Sequence, residues 1–359
     1  MSVEFHPLPV TVHEETSDSV SLTFEVPEEL RDQFRHVPGQ HLVLRAEIDG
    51  EDVRRSYSIC SSANTGELKV GIKRIPDGVF SGWATNSLHT GDTVDAMPPI
   101  GEFTHATDPA AEAEYVALAA GSGITPVLSI LTTTLESEPH SRCTLVYGNR
   151  TSTTIMFLED IEALKDRFPD RLQVIHILSR EPHEIPLFEG RIDGDKLRSL
   201  ASTLIDAPAV ASWFVCGPLD MVETVRDTLT TLGVDDNRIH YELFFDERIE
   251  SIPDADDSAE GLVTMTLTLD GRTSTVKVDP NGPPLLDYAR SVRSEVPFAC
   301  KGGMCATCTA KVLNGEVQLE KNYALTEDEV ASGLVLTCQS HPVDGDVTLT
   351  YDVHGGMGR

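Results

Sequence analysis

Hydrophobic residues recur along this chain with three successive rhythms. Up to about residue 105 the runs are short and alternating. Val20-Ser-Leu-Thr-Phe-Glu-Val26 puts an apolar side chain at every second position, as a half-buried strand does. Pro38-Gly39-Gln40 reads as a turn, His41–Arg45 as a strand, and Asp49-Gly50 as a second turn. Further strands are predicted at Ser56–Ser61, Leu68–Arg74 and Thr93–Ala96, a spacing that suggests a small antiparallel β-barrel. After Asp108-Pro109 the rhythm changes to continuous apolar strands alternating with helices. Strands are predicted at Glu114–Ala120, Cys143–Tyr147, Leu172–Leu178 and Ser212–Cys216. Helices are expected from Gly121–Pro126 to about Leu135, near Phe157–Arg167 and Gly194–Leu204, and over Leu219–Leu232. That alternation predicts a doubly wound parallel sheet.

The third rhythm follows Glu250–Gly261, an acidic stretch without apolar periodicity that reads as a linker. Beyond it, Val263–Leu269, Asp270-Gly271 and Ser274–Val278 predict a hairpin, and Leu285–Val292 a short helix. Thr326-Glu-Asp-Glu329 is a capping-box start for another helix. The expected organisation is therefore a barrel at 1–108, an α/β domain at 109–249, a linker at 250–261 and an α+β unit at 262–359.

Composition narrows the function. The chain has 359 residues and a formal net charge of −30, from 58 acidic against 28 basic residues. Nucleic acid is an improbable partner for such a surface, because phosphate neutralisation needs the opposite sign. Two readings of the acidity stay open, a solubilising surface suited to a salty cytoplasm and steering toward a basic docking face. No apolar run reaches the length of a membrane span, and residues 1–30 lack a signal-peptide pattern, so a cytoplasmic location is expected. Cys60, Cys143 and Cys216 are far apart in apolar surroundings and read as reduced thiols.

The remaining four cysteines carry the strongest signal. Cys300, Cys305 and Cys308 follow a C-x4-C-x2-C spacing, and Cys338 comes after a further gap of twenty-nine residues. That is the plant-type spacing for a [2Fe–2S] cluster, with Gly302 and Gly303 where backbone N–H groups must approach the sulfides. A zinc site would favour paired C-x2-C knuckles, of which there is one. Upstream, Arg54-Arg55-Ser56-Tyr57-Ser58 joins two guanidinium groups to a stackable ring and a hydroxyl, a set suited to a flavin dinucleotide. Gly78-Val-Phe-Ser81 offers amides and a hydroxyl to the same phosphates. Gly121-Ser-Gly-Ile-Thr-Pro126 lies between a strand and a helix, where helix-start amides meet phosphate. Cys216-Gly217-Pro218 ends another parallel strand, at the edge where such sheets bind ligands. Ser179-Arg180, assisted by Arg150, would supply a hydroxyl and cations to a 2′-phosphate, which favours NADPH over NADH.

Together Arg55–Ser58, Gly78–Ser81, Gly121–Pro126 and Cys216–Pro218 resemble the ferredoxin–NADP reductase superfamily. With the plant-type ferredoxin motif behind them, the whole chain resembles the oxygenase reductases. Finer strings are similar to the reductase subunits of phenylacetyl-CoA epoxidases: Phe34–Gln40, Val53–Cys60, Tyr147–Ser152, Gly190–Gly194 and Ala299–Gly303. The reductases of 3-ketosteroid 9α-hydroxylases share much of the same pattern. The resemblance implies a β-grasp ferredoxin fold for the C-terminal unit and an electron path from NADPH through FAD and [2Fe–2S] to a multi-subunit di-iron oxygenase. Arg55, Tyr57 and Ser58 would hold FAD, with Gly78 and Ser81 on its pyrophosphate. Gly121, Gly123, Thr125 and Pro126 would line the nicotinamide dinucleotide site, and Cys216 would approach the hydride path. Glu242 and Phe244 correspond to the acidic-aromatic end of the reductase module. A steroid or aromatic-ring hydroxylase is the alternative acceptor, and a carrier or redox sensor without turnover the alternative class.

Overall fold

A computed structural model describes residues 5–243, 261–269, 271–293, 296–298, 301–303 and 306–352. Phe244, Cys300, Cys305 and all of the expected linker except Gly261 lie outside the described residues. Chain contacts cluster into two compact units. Of the described residues, one unit takes 5–53 and 57–243; the other takes 54–56 and those from Gly261 onward.

The first part is an antiparallel barrel of β1 (His6–Thr16), β2 (Ser19–Phe24), β3 (His41–Ile48), β4 (Glu51–Ser58), β5 (Leu68–Lys73) and β6 (Thr93–Ala96), in the order β4-β3-β6-β1-β2-β5. An Ile59–Val70 bridge joins the two edges. Alternate residues Leu8, Val10, Leu22, Leu42, Leu44, Val70 and Ile72 fill the interior. Three details depart from expectation. The fourth strand starts at Glu51 instead of Ser56, because Asp49 (φ +53°) and Gly50 (φ +83°) form a left-handed turn that folds β4 directly back on β3. Pattern reading also hides β1, whose Pro7 and Pro9 look like strand breakers. Both sit where β1 pairs with β6, and Leu8 between them is fully buried. A third difference is α1 (Val79–Asn86), which grows out of the Gly78–Ser81 string.

The parallel sheet runs β11-β10-β7-β8-β9, with β7 (Glu114–Ala120), β8 (Arg142–Asn149), β9 (Leu172–Leu178), β10 (Ser212–Gly217) and β11 (Ile239–Leu243). All four neighbour pairs are parallel. Its helices are α2 (Ile124–Ser137), α3 (Leu158–Arg167), α4 (Gly194–Thr203) and α5 (Leu219–Thr231). A buried carboxylate ties the barrel-to-sheet connection down. Glu138 accepts from the Asp108 N–H (3.0 Å) and the Ser141 hydroxyl (2.7 Å), and lies 3.3 Å from His105 Nε2. A charge in that position is tolerable only because donors surround it.

The C-terminal unit holds β12 (Val263–Leu269), β13 (Arg272–Val278), α6 (Leu285–Val292), β14 (Thr309–Leu319), α7 (Glu327–Ala331), β15 (Leu334–Leu336) and β16 (Ser340–Thr350). Its sheet order is β13-β12-β16-β14-β15, and β12 pairs in parallel with β16. The Thr326–Glu329 capping box starts α7 as its spacing predicts. Met265, Leu267, Leu286, Ala289 and Leu349 form the core, with Cys308 and Cys338 inside it. Among the described residues, no helix is long and apolar enough to cross a membrane.

Candidate functional site

The catalytic-residue candidates Ser58 and Glu242 meet where the barrel adjoins the sheet. Ser58 ends β4, Glu242 lies on edge strand β11, and the Ser58 hydroxyl donates to Glu242 Oε2 at 2.9 Å across 184 residues. His41 Nδ1 lies 3.7 Å from the other carboxylate oxygen, too far for a hydrogen bond. Burial pushes the His41 pKa down to about 4, so the imidazole is neutral. Its Nε2 is buried without a hydrogen-bond partner among the described residues. Gly101 (φ +123°) leaves room for this ring, since a Cβ there would stand 2.9 Å from Nδ1. His41 is a polar member of the site that motif reading missed.

Cys216 pairs in register with Glu242 across β10 and β11. It is fully buried, and burial followed by the nearby Glu242 charge holds its thiol pKa well above the ordinary value. Cys216 is thus a buried, protonated thiol at the end of β10. Gly123 explains why the loop sits so close: a Cβ there would overlap the Cys216 carbonyl oxygen. Gly121–Gly123 is a single 3-10 turn running straight into α2, without a side-chain cap. The buried Tyr147 hydroxyl donates to the Gly121 carbonyl at 2.9 Å and fixes that turn. Thr125 and Pro126 are both buried, and the Thr125 hydroxyl is used on the Ser122 carbonyl at 3.0 Å. They support the loop from behind; what faces a phosphate is backbone.

On the barrel, Arg55 Nη1 donates to the Arg54 carbonyl (2.6 Å), and Arg54 itself is buried. The half-buried Tyr57 ring is backed by Phe80 at 5.5 Å, which in turn contacts Trp83. Gly78 begins α1 with no side-chain cap. Ser81 is buried, and its Oγ accepts the Ile75 N–H at 3.1 Å. An uncapped helix start such as that of α1 leaves backbone N–H groups that suit a phosphate.

At the ends of β8 and β9 the ladder continues past the strands. Ser179 N–H donates to the Asn149 carbonyl (2.9 Å) and Arg180 N–H to the Arg150 carbonyl (2.8 Å). Arg150 and Arg180 are thereby neighbours at the C-terminal edge of the sheet, and both are exposed.

In the C-terminal unit two of the four cluster cysteines are described. Cys308 and Cys338 are buried, and Thr337 joins their segments by donating its hydroxyl to the Cys308 carbonyl at 2.9 Å. Gln339 Nε2 donates to the carbonyls of Lys301 and Cys338, both at 2.8 Å. Lys301 (φ +49°) and Ala306 (φ +53°) are left-handed without being glycine, and Gly303 (φ +80°) would crowd Gln339 if it carried a Cβ. The Lys301 and Gly303 carbonyls accept from Gln339 Nε2 and the Tyr323 N–H, which ties the described part of the loop to its surroundings. Sequence reading missed Thr337 and Gln339, although both adjoin Cys338.

Comparison with known proteins agrees with this arrangement. Family models match an oxidoreductase FAD-binding domain at residues 7–105 and an oxidoreductase NAD-binding domain at 117–227. A third matches a 2Fe-2S iron-sulfur cluster binding domain at 267–343. A subunit of 1,2-phenylacetyl-CoA epoxidase from Escherichia coli (strain K12) is 43% identical over 352 residues, 98% of this chain and 99% of that protein. The ferredoxin reductase component of 3-ketosteroid-9-alpha-monooxygenase from Rhodococcus rhodochrous is 34% identical, covering 95% of each chain. Phthalate dioxygenase reductase shares the fold, with a TM-score of 0.60 over 96% of this chain and 98% of its own at 22% identity. The chain therefore belongs to the family of FAD- and pyridine-nucleotide-binding [2Fe–2S] reductases that includes this phenylacetyl-CoA epoxidase subunit.

Proposed function

We propose that this protein draws electrons from NADPH and delivers them to a di-iron oxygenase that epoxidises phenylacetyl-CoA. The observation that carries this reading is the end-to-end match to the phenylacetyl-CoA epoxidase subunit, spanning all three modules at 43% identity. The bound flavin supplies the exchange between a two-electron donor and a one-electron carrier, and the cluster supplies that carrier. The chain's residues bind and orient. Arg55, Tyr57 and the start of α1 at Gly78–Ser81 would hold FAD. The Gly121–Gly123 turn, supported by Thr125 and Pro126, would seat the nicotinamide dinucleotide. Ser58 and Glu242 form a hydroxyl–carboxylate pair that would be able to hold a proton for the flavin chemistry. Arg150, Ser179 and Arg180 would receive the 2′-phosphate, and Cys300, Cys305, Cys308 and Cys338 would ligate the irons.

Mixing the purified protein with the oxygenase subunits should give NADPH-dependent epoxide formation from phenylacetyl-CoA. Product only with a 3-ketosteroid oxygenase would overturn the substrate assignment. R180A should raise the NADPH Michaelis constant about tenfold and leave that for NADH nearly unchanged. An NADPH constant indifferent to R180A would overturn the coenzyme assignment.

A further inference from the structure

The two arginines at the ends of β8 and β9 do not stand alone. One residue after Arg180, Glu181 reaches across to the neighbouring turn, and its Oε1 accepts both the Ser152 backbone N–H (2.9 Å) and the Ser152 hydroxyl (3.0 Å). Ser152 opens the 3-10 turn Ser152–Thr154, so Glu181 holds that turn against the end of β9. Arg180 has no ion-pair partner among the described residues, whereas Arg150 lies within electrostatic reach of Asp18. A carboxylate therefore occupies two donors within a cluster whose cations, Arg150 and Arg180, would attract a phosphate.

We propose that Glu181 is a built-in competitor for the coenzyme's 2′ position and sets how strongly this protein distinguishes NADPH from NADH. The inference rests on the NADPH reading above. A 2′-phosphate carries about −1.5 to −2 charges near neutral pH, so it must displace Glu181 from Ser152 or bind beside a like charge. An NADH ribose presents a neutral diol there, which the carboxylate can accept without repulsion. Glu181 thus holds back the preference that Arg150 and Arg180 create, an example of specificity tuned by a repulsive element.

The test compares E181Q with the parent and with R180A, measuring Michaelis constants for both coenzymes with an artificial electron acceptor. Gln keeps an acceptor oxygen for Ser152, so the turn stays in place while the charge goes. E181Q is expected to lower the NADPH constant roughly two- to fivefold and not the NADH constant, with the gain shrinking at high salt. If R180A raises the NADPH constant but E181Q leaves the coenzyme ratio unchanged, the competitor role is overturned while the coenzyme reading stands. If R180A changes nothing, both fall. A Glu181 that serves only the turn would leave the ratio and its salt dependence as in the parent.

Discussion

In the C-terminal unit, the hydrogen bonds of the described residues around Cys308 link Lys301 and Cys308 to a turn at 337–339, and all three run to backbone carbonyls. At the junction of barrel and sheet, the contact between Ser58 and Glu242 spans 184 residues and depends on β4 and β11 being set side by side by two separate cores. The first site is written largely as a loop. The second exists only once two domains have docked. One consequence is that damage to the loop should be local and chemical, whereas damage to the junction should be shared between stability and turnover.

The sharpest way to separate the two is C308S. It should abolish the visible absorbance of the cluster and electron delivery to an oxygenase, while NADPH oxidation with an artificial two-electron acceptor persists. Loss of that NADPH oxidation as well would show the two regions to be one folding unit. Next in size is G123A, because the added methyl runs into the Cys216 backbone carbonyl and neither chain is free to give way. A loss of about 1–3 kcal/mol is expected in denaturant melts, together with a raised Michaelis constant for the nucleotide. A wild-type melt would show that the close approach is not required. S58A keeps the packing and removes the donor to Glu242. Single-turnover flavin reduction by NADPH should slow about ten- to a hundredfold with an unchanged melt.

A smaller effect concerns pH. The folded His41 pKa is lowered by burial to about 4, below the ordinary 6.5, so the unfolded chain binds its proton more readily. The stability this represents is complete above pH 6.5 and is lost as pH falls toward 4, at most about 3 kcal/mol. H41Q should flatten part of that acid limb in melts across this window. His36, His105, His176 and His240 are shifted in the same direction by burial and would keep the remainder. Smallest of all is D160N, which removes the 3.1 Å pair between Asp160 of α3 and Lys69 of the barrel. It should cost under about 1 kcal/mol and nothing at high salt. A larger loss would mean that the docking of barrel and sheet leans on charge as well as on packing.

Much of this molecule was readable from one dimension. The alternating runs of the barrel, the apolar strands of the parallel sheet, the C-x4-C-x2-C spacing and the Thr326–Glu329 capping box all act within a few residues of themselves. Local rules decide such features: side-chain period, loop length and the donors that a short turn must satisfy. Less readable were β1, disguised by Pro7 and Pro9, and α1, hidden behind a glycine string. The hydrogen bonds of the Thr125 and Ser81 hydroxyls, to the Ser122 carbonyl and from the Ile75 N–H, were likewise not readable, because a hydroxyl goes to whichever partner the folded backbone brings nearest. His41 beside Glu242, Gly123 against Cys216 and Glu181 on Ser152 have no local signature at all. Each depends on a neighbour from another strand, and its distance is fixed by how the strands dock and by what volume a missing Cβ leaves open.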